Sequence, residues 1–290
     1  MKPVGLCVDD FGFKPEVNEA VARLVDEGIV TVVGCMSTAP HWARGAALLR
    51  GERRPRVDVG LHLNLTERWP GGSSLFARPL PLLLVGGLLG ALPRHAIRDA
   101  IERQLEAFED AWGQGPDFVD GHQHVHQLPQ VRDVLLDCLE RRRGSAMPWL
   151  RCTTASPLMP PDCKQAVIQA LGSAGLRVRA RRRRLLMNQH LLGVYSFNAD
   201  RAGYEQHLDR WLQACGGGDV LMMHPAVPAR TVQAPDRSHP FEDRMSDVIG
   251  RAREVEYDVL HRRGLTLLQR HGVQPVRPSQ HPELLRHSQA

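Results

Sequence analysis

Residues 3–28, PVGLCVDDFGFKPEVNEAVARLVDEG, read as one βα unit with two carboxylates at the joint. Residues 4–8 form a short apolar run, the pattern of a strand buried on both faces. Pro15 then sits where a helix welcomes a first proline, and Val17, Ala20, Val21, Leu24 and Val25 recur at helical spacing until Gly28 stops the helix. Asp9 and Asp10 stand between the two elements, at the carboxyl end of the strand.

The alternation repeats outward from this unit. Strands are expected at residues 29–36, 57–63, 118–119, 149–153, 219–223 and 265–268, and helices at 41–49, 94–112, 129–142, 163–173, 204–214 and 246–262. The segments around residue 178 and over 194–197 fit neither pattern, and residues 69–93, rich in Pro, Gly and Leu, read as an irregular lid or rim. Seven or eight βα units with no linker-like break predict an α/β protein with a parallel sheet, one domain over residues 1–272 and a flexible tail over 273–290.

Composition sets limits on partners. The 290 residues are 42% hydrophobic and 24% charged, which excludes disordered and fibrous classes. The longest apolar stretch, residues 80–92, is broken by Pro81, Gly86, Gly87 and Gly90 and falls short of the ~20 residues of a membrane span. The first residues lack the apolar core of a secretory signal, so a cytoplasmic location is expected. Six cysteines without CxxC spacing indicate neither a disulfide framework nor a zinc knuckle. Much of the net charge of +5 is local: Arg177, Arg179 and residues 181–184 place six guanidinium groups in eight positions. Such a run is a solvated face, or a patch for phosphate, acidic glycan or anionic membrane. Aromatics, 5% of the chain, do not interleave it, so no nucleic-acid partner is expected.

The polar residues fall where chemistry is built. Asp9 and Asp10, His62 in GLHLNLT (60–66), Asp120 and His122 in DGHQHVHQLPQ (120–130), and His224 in LMMHP (221–225) end four expected strands. Carboxyl ends of strands are where α/β barrels and open α/β sheets place active sites. Adjacent carboxylates repel unless a cation or proton lies between them, and on an extended chain one can ligate a metal while the other faces substrate. The same pair would also serve as a cap for the following helix. His122, His124 and His126 share one face if the chain is extended, whereas a turn after Asp120 singles one out. One Asp and two His from three strands give a divalent cation three protein ligands and leave room for water. The remaining Asp is then the base and His224 the acid, while His124, His126 and Arg151 form the substrate-contact set. GxSxG, Walker and Rossmann signatures are missing from the sequence, so serine, P-loop and dinucleotide chemistry have no support.

At these residues the chain resembles the YdjC-like carbohydrate deacetylases, the group that includes chitooligosaccharide and hopanoid-associated deacetylases. VDDFG (8–12), GLHLNLT, DGHQHVHQLPQ and MMHP appear in the family's order and approximate spacing, over about residues 3–270. The resemblance implies a distorted TIM-like (β/α) barrel and metal-dependent removal of acetyl from an N-acetylated sugar, oligosaccharide or lipid-linked. It implies Asp10, His62 and His122 as ligands of one divalent cation, Mg2+ or Zn2+, with Asp9 as catalytic base and His224 as catalytic acid. Family members often carry a further His where Gln123 stands, so that position is not expected to ligate. Two other readings compete: a metal-dependent phosphoester hydrolase, and a nucleic-acid- or lipid-binding protein with a non-catalytic metal site. Expected partners are the N-acetylated sugar, an anionic membrane met through the Arg run and the Leu-rich insertion, and a second copy in a homodimer.

Overall fold

The computed structural model describes residues 1–69, 76–142, 147–159, 162–232 and 247–285. Its strands are β1 (Lys2–Phe11), β2 (Val32–Cys35), β3 (Asp58–Leu63), β4 (Phe118–Gly121), β5 (Trp149–Leu150), β6 (Leu191–Leu192), β7 (Val220–Met223) and β8 (Val273–Pro275). Its helices are α1 (Pro15–Asp26), α2 (Trp42–Leu48), α3 (Leu80–Leu88), α4 (Arg94–Trp112), α5 (Val131–Arg141), α6 (Cys163–Ala170), α7 (Ser173–Arg182), α8 (Arg201–Ala214) and α9 (Gly250–Arg270). The first seven strands pair in parallel in the order β5-β4-β3-β2-β1-β7-β6. Between β5 and β6 the ring is completed by a Leu150–Met187 bridge and by the Leu191 amide donating to the Thr154 carbonyl at 2.8 Å. The result is the expected distorted TIM-like barrel, its distortion lying where isolated contacts replace a full ladder.

Alternation along the strands separates two apolar layers. Leu6, Val8, Val33, Val59, Leu61 and Val119 pack outward against helix residues such as Val21, Leu24, Leu105 and Phe108. Cys7, Val32, Phe118, Trp149, Val220 and Met222 form the inward cluster. Each fully buried aliphatic or aromatic side chain contributes roughly 1.5–3 kcal/mol of transfer free energy, so both layers hold the ring. Gly60 faces inward because a Cβ there would lie 2.2 Å from the Phe118 ring, which stacks on Trp149 at 4.6 Å between centroids.

Several expectations are corrected. Residues 265–268 belong to α9, where Leu267 and Leu268 continue a helical stripe with Leu260 and Gly264; a short apolar run does not by itself separate strand from helix. The stretch from residue 273, expected to be flexible, is instead β8 on the amino end of β1, followed by Arg277 and Ser279 bonded to fully buried Asp58. It closes the bottom of the barrel, since Asp58 also takes the Trp149 indole N–H at 3.2 Å and would otherwise be a bare buried charge. Residues 286–290 of that tail lie outside the described residues. The irregular insertion contains a true helix, α3, while its residues 70–75 lie outside the described residues. The helix expected over 163–173 breaks at Gly172, whose φ of 153° suits glycine, and α7 then carries the Arg run. That run is not one patch: Arg179 pairs with Asp133, and Arg183 with Asp137 at 2.8 Å and Glu140 at 3.3 Å, on neighbouring α5.

Candidate metal and catalytic site

The carboxyl end of β1 is shaped by a bulge. Pairing runs from Val8 opposite Val33 to Phe11 opposite Cys35, one more residue on β1 than on β2. Asp10 takes up the irregularity with a φ of 63°, a conformation that aspartate tolerates better than most residues. The bulge, rather than plain alternation of an extended chain, therefore aims Asp9 and Asp10 at different partners. After β4 the chain turns through Gln123 and His124, with φ of 51° and 59°, so the three histidines do not share a face. The turn singles out His122.

Asp10, His62 and His122 each offer a ligand atom within 4.8 Å of the others. Asp10 Oδ1 is 2.9 Å from His122 Nδ1 and 3.3 Å from His62 Nε2. The other nitrogen of His62 is 2.8 Å from Asp120 Oδ1; a proton there leaves Nε2 as the lone-pair donor facing Asp10. Arg253 from α9 donates to Asp10 Oδ2 at 2.6 Å and holds the carboxylate in place. Burial works against a charged imidazole, yet Asp120 and Asp9 outweigh it and lift His62 to about 10. Asp10 likewise lifts His122 against burial, and Arg253 and His122 hold Asp10 well below the usual carboxylate range despite burial. A cluster that draws protons this strongly favours positive charge at its centre. The donor set of one carboxylate and two imidazoles therefore fits a divalent cation.

Behind the cluster lies a second convergence, Cys7, Asp9 and Asp120. Arg151 already occupies it. Its guanidinium reaches both Asp9 oxygens at 2.6 Å, Cys7 Sγ at 2.7 Å and Asp120 Oδ2 at 2.6 Å. Gly34 on β2 leaves the space, because a Cβ there would meet His62 Nδ1 at 3.3 Å and Asp9 Oδ1 at 3.4 Å. Arg151 is fully buried and does not line the cavity, so the expectation that it contacts substrate is corrected: both of its terminal nitrogens are engaged by Asp9, Cys7 and Asp120. His126 is corrected on the same ground, being fully buried with Nε2 3.0 Å from the Arg151 carbonyl. Burial lowers it to about 4. His124 does line the cavity, as do Asp9, Asp10, His62, His122 and His224.

The cavity measures about 710 Å³ and opens at the carboxyl ends of the strands. His224, following β7, has its Nε2 4.0 Å from Asp9 Oδ2 and its ring edge-on to Phe197 at 5.0 Å. Burial brings it down to about 4. Its backbone is fixed by Glu256 of α9, which accepts from the His224 amide at 2.6 Å, from the Tyr195 hydroxyl at 2.7 Å and from the Tyr204 hydroxyl at 3.3 Å. Burial pushes the Glu256 carboxyl up to about 7. An acid raised from 4.5 to about 7 in the fold leaves the folded state less favoured once it ionises, so stability falls as pH rises from about 4.5 through 7. Glu256→Gln should flatten that loss, worth on the order of 3 kcal/mol, in urea midpoints measured between pH 5 and 8. Equal pH slopes in the two proteins would remove Glu256 as its origin.

Sequence reading passed over Arg253 and Glu256, which hold Asp10 and the His224 backbone. The signal was present. Within α9 they fall on the same face as Leu260, at i, i+3 and i+7, and charged residues on a core-facing stripe call for buried partners. Glu67, with Oε1 3.7 Å from His122 Nε2, lay in the loop after GLHLNLT and carried no such signal.

Fold and site together define a class: a parallel α/β-barrel protein with a carboxylate–imidazole cluster, suited to a cation, at the carboxyl ends of its strands. The chain belongs to the YdjC-like protein family, whose model matches residues 3–268. It is 34% identical over 145 residues to a carbohydrate deacetylase of Mus musculus, covering 46% of this chain and 45% of that protein. It is 28% identical over 144 residues to a chitooligosaccharide deacetylase of Proteus mirabilis, covering 46% and 54%. The chain thus spans about half the length of the curated relatives it matches. Among solved structures, a protein of Enterococcus faecalis assigned to cellobiose-phosphate cleavage superposes with a TM-score of 0.66 at 16% identity, covering 95% of this chain and 97% of that one. A peptidoglycan N-acetylglucosamine deacetylase superposes with a TM-score of 0.50 at 12% identity, covering 96% and 86%. At such identities the likeness shows the shared fold.

Proposed function

We propose that this protein is a divalent-metal-dependent hydrolase that removes acetyl from an N-acetylated sugar. The observation that carries the reading is the convergence of Asp10, His62 and His122 on one point in the lining of a large cavity, beside a second carboxylate, Asp9, and a third imidazole, His224. The deacetylase names of its relatives support the same chemistry. Asp10, His62 and His122 would hold the cation, and two imidazoles with one carboxylate suit zinc better than magnesium, which prefers oxygen donors. A bound cation of this kind supplies Lewis-acid polarisation of a carbonyl and activation of water near neutral pH.

The chain's own residues supply proton management. Asp9, anchored through both oxygens by Arg151, receives the proton of the attacking water. His224 enters neutral, its Nδ1 without a hydrogen-bond partner among the described residues; it takes up the proton that Asp9 received, Nε2 lying 4.0 Å from Asp9 Oδ2, and passes it to the departing amine. Glu256 and Phe197 fix its position from the backbone and ring sides. Acetate and a free amino sugar are the products.

The cavity walls bear on which glycan is taken. Away from the cation cluster they include Leu80 and Leu84 of α3 and Val167, Ile168 and Leu171 in and after α6 on one side, with Phe13, Tyr195, Phe197 and Lys164 also on the lining. The hydrocarbon side suits a lipid carried on the sugar, while the rings of Phe13, Tyr195 and Phe197 offer platforms for the sugar itself. The test is acetate release from a soluble N-acetyl sugar, from the same sugar on a lipid anchor and from a phosphoester panel, each before and after chelation. Chelator-sensitive acetate release is the expected result, with the lipid-linked sugar preferred. Phosphate release without acetate release would overturn the reading.

A further inference from the structure

We infer that α3 docks this protein on the surface of an anionic bilayer, with the cavity mouth facing the lipid. α3 is apolar on all sides and only its inner face is used by the fold. Leu83 is buried, and a Cβ at Gly87 would lie 2.9 Å from the Pro129 carbonyl, so backbone meets backbone there. The end of α3 is tied to the start of α5 by Gln130, which accepts from the Leu92 amide at 2.9 Å and donates to the Gly90 carbonyl at 3.0 Å. The outer face is left to solvent: Leu82 is 58% exposed, Val85 56%, Leu88 73% and Leu89 76%. Four adjacent large apolar side chains on one short helix are far from the scattered exposure ordinary at a protein surface.

Three observations select a bilayer as the occupant. First, the apolar face runs into the cavity mouth: Leu80 and Leu84 of the same helix line the cavity, as do the exposed Val167 and Val248 across it. A second copy seated on this face would stand across the entrance, whereas a bilayer would deliver lipid-linked substrate into it. Second, the charge is complementary. Between Glu67 and Asp99 the chain has no acidic residue and four arginines, Arg68, Arg78, Arg94 and Arg98. Arg68, Arg78 and Arg94 are exposed, and Arg94 has only a distant pairing to Asp137 at 3.9 Å. Basic residues beside an exposed apolar helix are the pattern of interfacial binding to anionic lipid. Third, the geometry permits contact without insertion across the membrane. Nine helical residues span about 13 Å against a hydrocarbon core of ~30 Å, and no helix among the described residues is long and apolar enough to cross. On α7 and its end, Arg179 and Arg183 of the Arg run are engaged by α5, while Arg181, Arg182 and Arg184 are exposed.

The inference gives the lipid-linked reading its partner surface, yet its test reads no turnover, so either can fail without the other. The full chain is sedimented with vesicles of equal parts phosphatidylglycerol and phosphatidylcholine and, separately, of phosphatidylcholine alone. Binding to the anionic vesicles, weakened by salt, is expected. The double variant Leu88→Gln, Leu89→Gln should partition at least about tenfold less while its urea unfolding midpoint stays unchanged. Leu82→Gln, made alone, carries the same readout should the double variant fold poorly. Failure of the full chain to bind anionic vesicles, or unchanged partitioning of a folded variant, would overturn the proposal. A concentration-dependent dimer without vesicles that the Leu88 and Leu89 changes dissolve would also overturn it, in favour of a second copy.

Discussion

Asp10→Asn should abolish stoichiometric binding of a divalent cation and lower turnover at least about a thousandfold, whereas Asp9→Asn should keep the cation and lower turnover about a hundredfold. The contrast follows from the bulge in β1. Asp10 Oδ1 is the atom on which His62 and His122 converge, and an amide there removes the charge that draws both imidazoles to it. Asp9 reaches neither histidine as a ligand; its oxygens lie on Arg151, and asparagine can keep one of those bonds. Metal content after dialysis, paired with acetate release, separates the two. If Asp9→Asn loses the metal and Asp10→Asn retains it, the roles of the carboxylates are reversed.

What could be read from the sequence depended on whether a residue's role is local. The βα unit at residues 3–28 was legible because period and turn residues are neighbours in the chain, and β1 and α1 fall where that pattern places them. The strand-end positions of Asp10, His62, His122 and His224 were legible for the same reason: each follows its own apolar run. The choice of His122 over His124 and His126 came with the family resemblance; the left-handed turn at Gln123 and His124 that carries it was not legible, because neither residue type demands that turn. The role of Arg151 was also hidden. Its partners Cys7, Asp9 and Asp120 come from other strands, and only the closed ring brings them within bonding distance. Likewise, residues 80–88 read as irregular because Pro and Gly interrupt them, yet Pro81 sits in the first helical turn and Gly87 lets the helix approach the Pro129 carbonyl.

Arg151→Met should cost about 3–5 kcal/mol of stability at neutral pH, the largest loss expected of any single change behind the site. The side chain is fully buried, and Asp9 and Asp120 are 2% and 0% exposed, so removing the guanidinium leaves Asp9 without its two-pronged partner and the two buried carboxylates with His62 as their nearest remaining cation. The sign of the pH dependence follows. In the native protein burial would raise Asp9, but Arg151 and His62 hold it well below the carboxylate range. That pairing therefore stabilises the fold above the unfolded carboxylate pKa and is lost in acid. Without Arg151, burial is opposed only by His62 and His224 and the folded-state pKa of Asp9 rises, so the deficit against the native protein should widen from about pH 4 to 7. Arg151→Lys restores a charge but not the two-pronged contact, and should fall between the two. Adding Asp9→Asn to Arg151→Met removes one stranded charge and should recover part of the loss, giving a coupling that a double-mutant cycle measures. Urea midpoints for the native protein, Arg151→Met, Arg151→Lys, Asp9→Asn and the double variant at pH 5 and 7 decide the matter; an unchanged midpoint in Arg151→Met would mean that the buried acids find their counter-charge elsewhere.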